Sequence, residues 1–88
     1  MDCKTYVEVT VTFDDTGRML PQAITWEDGT RYEIDRVLDI RPAPSLRAGG
    51  HGDRYTVRIG MQQSYLYFER SPLLTGARLG RWFVERKR

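Results

Sequence analysis

The most constraining feature of the sequence is a strict period of two in residues 6–13, YVEVTVTF. Apolar and polar side chains alternate along this run, which is typical of a strand with one buried face. Four side chains would share that face: Val7, Val9, Val11 and Phe13. The DDTGR segment that follows is rich in turn residues. No segment shows the helical period of about 3.6 residues, so the sequence predicts an all-β fold.

The segment ITWEDGTRYEIDRV, residues 24–37, predicts a hairpin whose register depends on its turn. A simple two-residue turn ending at Gly29 would pair Ile24 with Glu33 and mix apolar and charged side chains on one face. A type I turn with a bulge at Gly29 adds one residue to the connection and pairs Ile24 with Tyr32 instead. We therefore expect the bulged turn, with Gly29 at positive φ.

The next segment, RYEIDRVLDI at residues 31–40, predicts a long strand that changes its buried face midway. A strand in a small barrel must bend in this way to enclose its own core. Proline cannot donate a backbone hydrogen bond, so Arg41-Pro42 is expected to end the strand. The loop PAPSLRAGGHG follows, with Leu46 as its expected apolar anchor.

A second hairpin is predicted in DRYTVRIGMQQSYLYFER, residues 53–70, with its turn at Met61-Gln62. This register places Tyr55 opposite Phe68 on the core face. The Ser-Pro pair at the start of SPLLTGARLG is typical of a helix N-terminus, so at most one short helical turn is expected there. RWFVERKR, residues 81–88, predicts a last strand with Trp82 and Val84 pointing inward.

These segments predict one domain, residues 1–88, built as a small antiparallel β-barrel. Five to six short strands with two hairpins are typical of SH3-like or OB-like barrels. A chain of 88 residues buries only about 60% of the surface that its unfolded form exposes. The core is therefore thin, and a deep substrate cavity is not expected.

Three runs of the sequence resemble a known group of proteins: VEVTVTFDDTGRMLPQAITWEDGTRYEIDRVLDIRPAPS, GDRYTVRI and GRWFVERK. They are similar to a family of short bacterial small-barrel proteins of uncharacterised role, often carried on mobile genetic elements. More distantly, the layout resembles small barrel proteins encoded beside Y-family DNA polymerases. The resemblance implies a small barrel and a DNA-related setting. It implies no active site, so no residue role is transferred.

Charge and cysteine content limit the class of protein. The net charge is +2, and acidic and basic residues are interleaved, apart from the basic tail Arg86, Lys87 and Arg88. Cys3 is the only cysteine, so no intramolecular disulfide is expected. The N-terminus lacks the apolar run of a signal peptide, and no stretch reaches the length of a membrane span. We expect a cytoplasmic protein that does not associate with membranes.

The sequence does not predict an enzyme. Its single imidazole, His51, lies in the Gly-rich segment AGGHGD, which would hold it loosely. A catalytic Cys3–His51 dyad is not expected, because Cys3 lies close to the N-terminus and His51 would be held loosely. Asp14 and Asp15 are expected to cap a turn rather than hold a metal. The Gly-rich segment also lacks the Lys-Ser/Thr ending of a phosphate-binding loop. We predict no catalytic residue, no metal and no cofactor.

The best candidate surface is the outward face of the second hairpin. Its core register directs Arg54, Arg58, Tyr65 and Tyr67 to that face, with Arg58 opposite Tyr65. Phe83 is out of phase with the inward side chains of the last strand and is expected to add a third ring. Aromatic rings stack on bases and arginine binds phosphate, the two components of single-strand recognition on small barrels.

Three interpretations of this surface remain open. Tyrosine is a good strand former that arginine stabilises by cation–π contact, so the face can be purely structural. Tyrosine and arginine are also enriched at protein interfaces, and an edge strand can pair with a partner or a second copy. We predict a non-enzymatic module for protein interaction or self-association; the alternative is weak binding of single-stranded nucleic acid. The predicted site residues are Arg54, Arg58, Tyr65, Tyr67, Phe83, Arg86, Lys87 and Arg88.

Overall fold

The computed structural model describes residues 2–43 and 52–87, in which every regular element is a strand. The strands are β1 (Asp2–Phe13), β2 (Met19–Thr25), β3 (Arg31–Glu33), β4 (Arg36–Pro42), β5 (Gly52–Ile59), β6 (Gln62–Thr75) and β7 (Arg78–Lys87). The predicted all-β class is confirmed. Nothing in these two ranges is a helix that could span a membrane.

The strands form one antiparallel sheet in the order β3-β2-β1-β7-β6-β5-β4, curled into a half-barrel around the core. The two ends of the sheet are consecutive in the chain, because only Ile34 and Asp35 separate β3 from β4. The Ile34 amide donates to the Gln22 carbonyl of β2, and the Asp35 amide donates to the Arg58 carbonyl of β5, both at 2.9 Å. The predicted long strand is thus divided at its bend, and the sheet has seven strands rather than five or six.

The β2–β3 turn has the predicted bulge. Ile24 pairs with Tyr32, and Gly29 has φ of 90°. The Gly29 amide donates to the Trp26 carbonyl at 2.9 Å, and the Trp26 amide donates to the Thr30 carbonyl at 2.7 Å. A type I turn followed by a left-handed residue makes this pair of hydrogen bonds.

The β5–β6 turn lies one residue before its predicted position, which shifts the cross-strand register by two residues. Tyr55 pairs with Leu66 rather than with Phe68, and the turn is at Gly60-Met61 rather than Met61-Gln62. Gly60 has φ of 60°, the left-handed conformation that a tight two-residue hairpin requires. Because side chains alternate with a period of two, a shift of two residues changes each partner but leaves every side chain on its predicted face.

At most one short helical turn was expected at Ser71 and Pro72, and none forms there, because both residues lie inside strand β6. The β6–β7 register is irregular between Arg70 and Thr75. A proline, which lacks a backbone donor, is tolerated in a strand where the ladder is interrupted in this way.

The concave side of the sheet encloses the hydrophobic core. Its buried members are Ile24, Tyr55, Val57, Leu66, Phe68 and Trp82. The Trp82 ring packs between those of Tyr55 and Phe68, with centroids 5.1 and 4.9 Å away. The predicted inward direction of Trp82 and Val84 is confirmed, since Val84 also packs on this cluster. The predicted anchor Leu46 lies outside the described residues.

Candidate functional site

The convex side of the sheet brings part of the predicted site together. On β5 and β6, Arg54 pairs with Tyr67 and Thr56 pairs with Tyr65. Arg58 pairs with Gln63 rather than with Tyr65, as the two-residue shift in register requires. Paired residues share a face, so these side chains lie on one surface, which we call the outer face.

Phe83 lies on the outer face but is not accessible. It pairs with Tyr67 and has a relative exposure of 0%. The Tyr67 ring stacks on it at 5.0 Å with an interplanar angle of 6°, and the Tyr6 ring meets it edge-on at 5.8 Å. Lys4 Nζ lies 4.8 Å from the ring centroid. The expectation that Phe83 presents a third ring to a ligand is therefore wrong; it is the centre of a small second core.

On the β1 side of the outer face, the charged side chains pair with neighbouring side chains of the same face. Lys4 Nζ forms an ion pair with Glu69 Oε1 at 2.8 Å, and the Tyr6 hydroxyl donates to the same oxygen at 3.2 Å. The Arg81 guanidinium lies 3.4 Å from the Tyr6 ring centroid. The hydrogen bond from Lys4 holds the pKa of Glu69 below its usual value and raises that of Lys4. This region is a closed network with little unused binding capacity.

The sequence did not indicate Lys4 and Tyr6 as members of this surface. They reach it because β1 pairs with β7, which places Tyr6 opposite Phe83. The two strands are far apart in the chain, and no local pattern indicates which distant strands become neighbours.

The open end of the outer face lies around Tyr65. Its ring is 47% exposed, and the Arg54 guanidinium lies 4.5 Å from the ring centroid. Arg54 Nε is buried and has no hydrogen-bond acceptor among the described residues. Beside it, burial and then the negative charge of Glu85 raise the pKa of Tyr67, which is half-buried.

Strand β4 adds two arginines that the sequence analysis did not identify. Arg36 pairs with Arg58, and Arg41 pairs with Arg54, so both join the outer face. A bulge at Leu38 changes the alternation within β4 and brings Arg36, Asp39 and Arg41 to the same side. We call Arg36, Arg41, Arg54 and Arg58 the arginine ladder. A bulge inside a strand cannot be recognised from periodicity alone.

The basic tail does not join the outer face. Arg86 is in phase with the inward side chains of β7 and pairs with Cys3. Its guanidinium lies 4.6 Å from the Trp26 ring centroid and 3.3 Å from Glu27 Oε1. Arg88 and the side chain of Lys87 lie outside the described part of the chain.

A cleft separates the first part of β6 from the last part of β7. The two strands pair from Tyr67 and Phe83 toward the turn that connects them. Within the described chain, residues 62–66 of β6 pair only with β5. Residues 84–87 of β7 pair only with β1. A groove of about 410 Å³ opens between them. The buried side chains of Val57 and Leu66 form its floor. Its walls include Trp26, Ile59, Tyr32 and Ser64. We call this groove the β6–β7 cleft.

The structure assigns Asp14 to a turn. Its carboxylate accepts hydrogen bonds from the backbone amides of Thr16 and Arg18, both at 2.9 Å, and from the Thr16 hydroxyl at 2.7 Å. The hydrogen bond from the Thr16 hydroxyl, followed by those from Arg18, holds the pKa of Asp14 well below its usual value. Within residues 2–43 and 52–87, no three His, Cys, Asp or Glu side chains converge on a possible metal position. His51 lies outside those ranges, so its predicted lack of a catalytic role stays a prediction.

Comparisons of the chain with protein-family models, curated proteins and solved structures found no match, and the bacterial family resemblance therefore stays a prediction.

Proposed function

We propose that this chain is a non-enzymatic interaction module that binds an extended segment of a partner protein in the β6–β7 cleft. The observation that carries the proposal is the presence, beside an apolar floor, of two strand edges that have no partner at the cleft within residues 2–43 and 52–87. They are residues 62–66 and 84–87. Extended peptides bind to such edges through their backbone, and pockets for alternate side chains give specificity.

The lining of the cleft supports this mode of binding. Val57 and Leu66 are fully buried beneath the cleft. Its accessible apolar surface comes from the half-buried Trp26, Ile59 and Val84 and from Tyr32, which is 44% exposed. A strand placed in the cleft directs every second side chain toward this floor and the others toward solvent. The partner segment is therefore expected to alternate apolar and polar residues over four to six positions.

A second copy of the chain is the other occupant that the same edges accept. We propose a small barrel of the SH3-like or OB-like kind, with β3 and β4 as halves of one bent strand. In such a barrel the cleft interrupts the hydrogen-bonded wall between β6 and β7, and it offers the edge for self-association. A cytoplasmic location remains part of the proposal.

Selection from a phage library of random peptides of about twelve residues tests the proposal. The selected peptides should share an alternating apolar pattern. Ser64→Glu places a carboxylate in the cleft wall and should abolish their binding. Gln63→Glu is the matched control, because it adds the same charge on the exposed face of the same strand and should leave binding unchanged.

Two results of this experiment would contradict the proposal. If no peptide is enriched and sedimentation shows only monomers, the interaction module is wrong. If peptides are enriched but the two variants bind them equally, binding occurs elsewhere and the cleft is not the site.

A further inference from the structure

We propose that the arginine ladder binds the sugar–phosphate backbone of a single-stranded nucleic acid. The site lies on the convex side of β4 and β5, whereas the proposed peptide cleft opens between β6 and β7. The two proposals rest on different residues and can fail independently.

The register of β4 against β5 is the first support. Arg36 lies directly opposite Arg58, and Arg41 lies directly opposite Arg54. Like charges directly opposite each other on a sheet are destabilising. Two such pairs on one short ribbon are a cost to folding, and an anionic ligand would remove it.

The protein itself neutralises little of this charge. Asp39 is the only acidic side chain on the outer face of β4 and β5 in the described chain, and it pairs with Arg41 at 2.7 Å. The nearby Asp35 carboxylate accepts the Gly60 amide at 2.7 Å. Arg36 and Arg58 are exposed and form no ion pair with any described residue, so both can bind an anion.

The length of the ladder selects a polymeric anion. Arg54 and Arg58 are four residues apart on β5, a distance of about 13 Å at the usual rise of a strand. A single phosphate or carboxylate cannot bridge both cross-strand pairs. A chain of regularly spaced anions can, and the planar guanidinium group matches the geometry of phosphate.

Tyr65 favours nucleic acid over an acidic peptide. Its half-exposed ring lies beside the ladder and is held by the Arg54 guanidinium at 4.5 Å. Single-stranded nucleic acids bind where cations follow the backbone and an aromatic ring stacks on a base. A peptide of acidic residues has no aromatic base that could stack on the Tyr65 ring. Tyr67 and Phe83 stack on each other, so the platform offers one ring rather than three.

Fluorescence anisotropy with labelled oligothymidylate of about twelve nucleotides tests the inference. With four phosphate contacts, the logarithm of the association constant should fall against the logarithm of salt concentration with a slope of about −3. The R36Q/R58Q variant should lose about 1.4 from that slope and roughly 60-fold in affinity at about 50 mM salt. R31Q removes a cation that pairs with Glu33 outside the ladder, and it should bind like the parent.

Two further variants separate binding from folding. R36K/R58K keeps both charges and should retain the salt slope of the parent. R36Q/R58Q removes one repulsive pair, so its melting temperature should equal or exceed that of the parent. Tyr65→Thr should weaken binding without changing the slope, because stacking releases no counterions.

Three results would overturn the inference. The first is no binding of oligothymidylate at about 20 mM salt, where electrostatic contacts are strongest. The second is an equal loss of slope in R31Q and in R36Q/R58Q. The third is tighter binding of an oligoglutamate peptide, with the same dependence on the ladder, which would assign the site to an acidic protein.

Discussion

At the scale of single residues, the turns are determined by side chains that satisfy backbone donors. Asp28 accepts the Thr30 amide at 2.9 Å next to Gly29, and Asp14 binds the amides of the first turn. Such local chemistry requires no knowledge of the rest of the fold. The bulged β2–β3 turn was therefore predictable from residues 24–37 alone.

Gly29→Ala should destabilise the protein by about 1 kcal/mol or more, because a Cβ disfavours φ of 90°. No atom lies within 4 Å of the new Cβ, so the cost comes from the backbone alone. Gly76→Ala is the matched control, since that site is equally open and has no positive φ. Urea unfolding of both variants measures the difference, and equal stability would contradict the assigned turn.

The Asp14 turn predicts a dependence of stability on pH. The folded pKa of Asp14 is lowered below the ordinary value of 3.8. Its contribution is therefore present above pH 3.8 and is lost progressively as the pH falls toward the folded value. The difference in urea midpoint between the parent and Asp14→Asn should be largest near neutral pH and should shrink in acid. Asp15→Asn removes the neighbouring carboxylate as a control, and a pH-independent difference for Asp14→Asn would refute the assignment.

At the scale of strands, periodicity predicts faces better than it predicts partners. The face of Tyr65 and Tyr67 was predicted although the hairpin register was wrong by two residues. The burial of Phe83 was not predictable, because it depends on Tyr6 from the distant strand β1. The bulge at Leu38, which brings Arg36 and Arg41 into the ladder, has no signal in the sequence.

Close packing of β6 on β7 makes Gly80 sensitive to substitution. A Cβ at Gly80 would overlap the Glu69 carbonyl oxygen and would lie 2.6 Å from the Phe68 ring. Gly80→Ala should therefore destabilise the protein by about 1–3 kcal/mol, since the buried ring and the strand must both shift. The open Gly76 site again provides the control. A Gly80→Ala variant as stable as Gly76→Ala would show that β6 and β7 are not packed as described.

Removing the two aromatic rings of the outer face, one at a time, should lower the stability of the protein by very different amounts. Phe83→Ala removes a fully buried side chain and should cost about 3–5 kcal/mol. Tyr65→Thr keeps strand propensity and loses a half-exposed ring, so its cost should stay below about 1 kcal/mol. Chemical denaturation of the two variants distinguishes the second core from the accessible platform. Similar losses of stability would mean that the outer face is one structural unit.

At the scale of the whole molecule, the fold combines one surface whose charged side chains bind one another with two surfaces that leave binding groups available. Lys4, Glu69 and Tyr6 bind one another on the β1 side. On the β4 side, Arg36 and Arg58 of the ladder form no ion pair with any described residue. At the β6–β7 cleft, two strand edges have no partner strand within the described chain. The ladder depends on the bulge at Leu38, and the cleft depends on the pairing of β7 with the distant strand β1. Neither has a local signal in the sequence, so the sequence analysis predicted a binding module without identifying either surface in full.

Amide-resolved hydrogen–deuterium exchange, with and without a selected peptide, tests the central claim most directly. In the free protein, amides of residues 62–66 and 84–87 that point into the cleft should exchange much faster than those bonded to β5 and β1. Bound peptide should slow these cleft amides and leave the outer face unchanged. Uniformly slow exchange in the free protein, or cleft amides that the peptide does not protect, would contradict the claim.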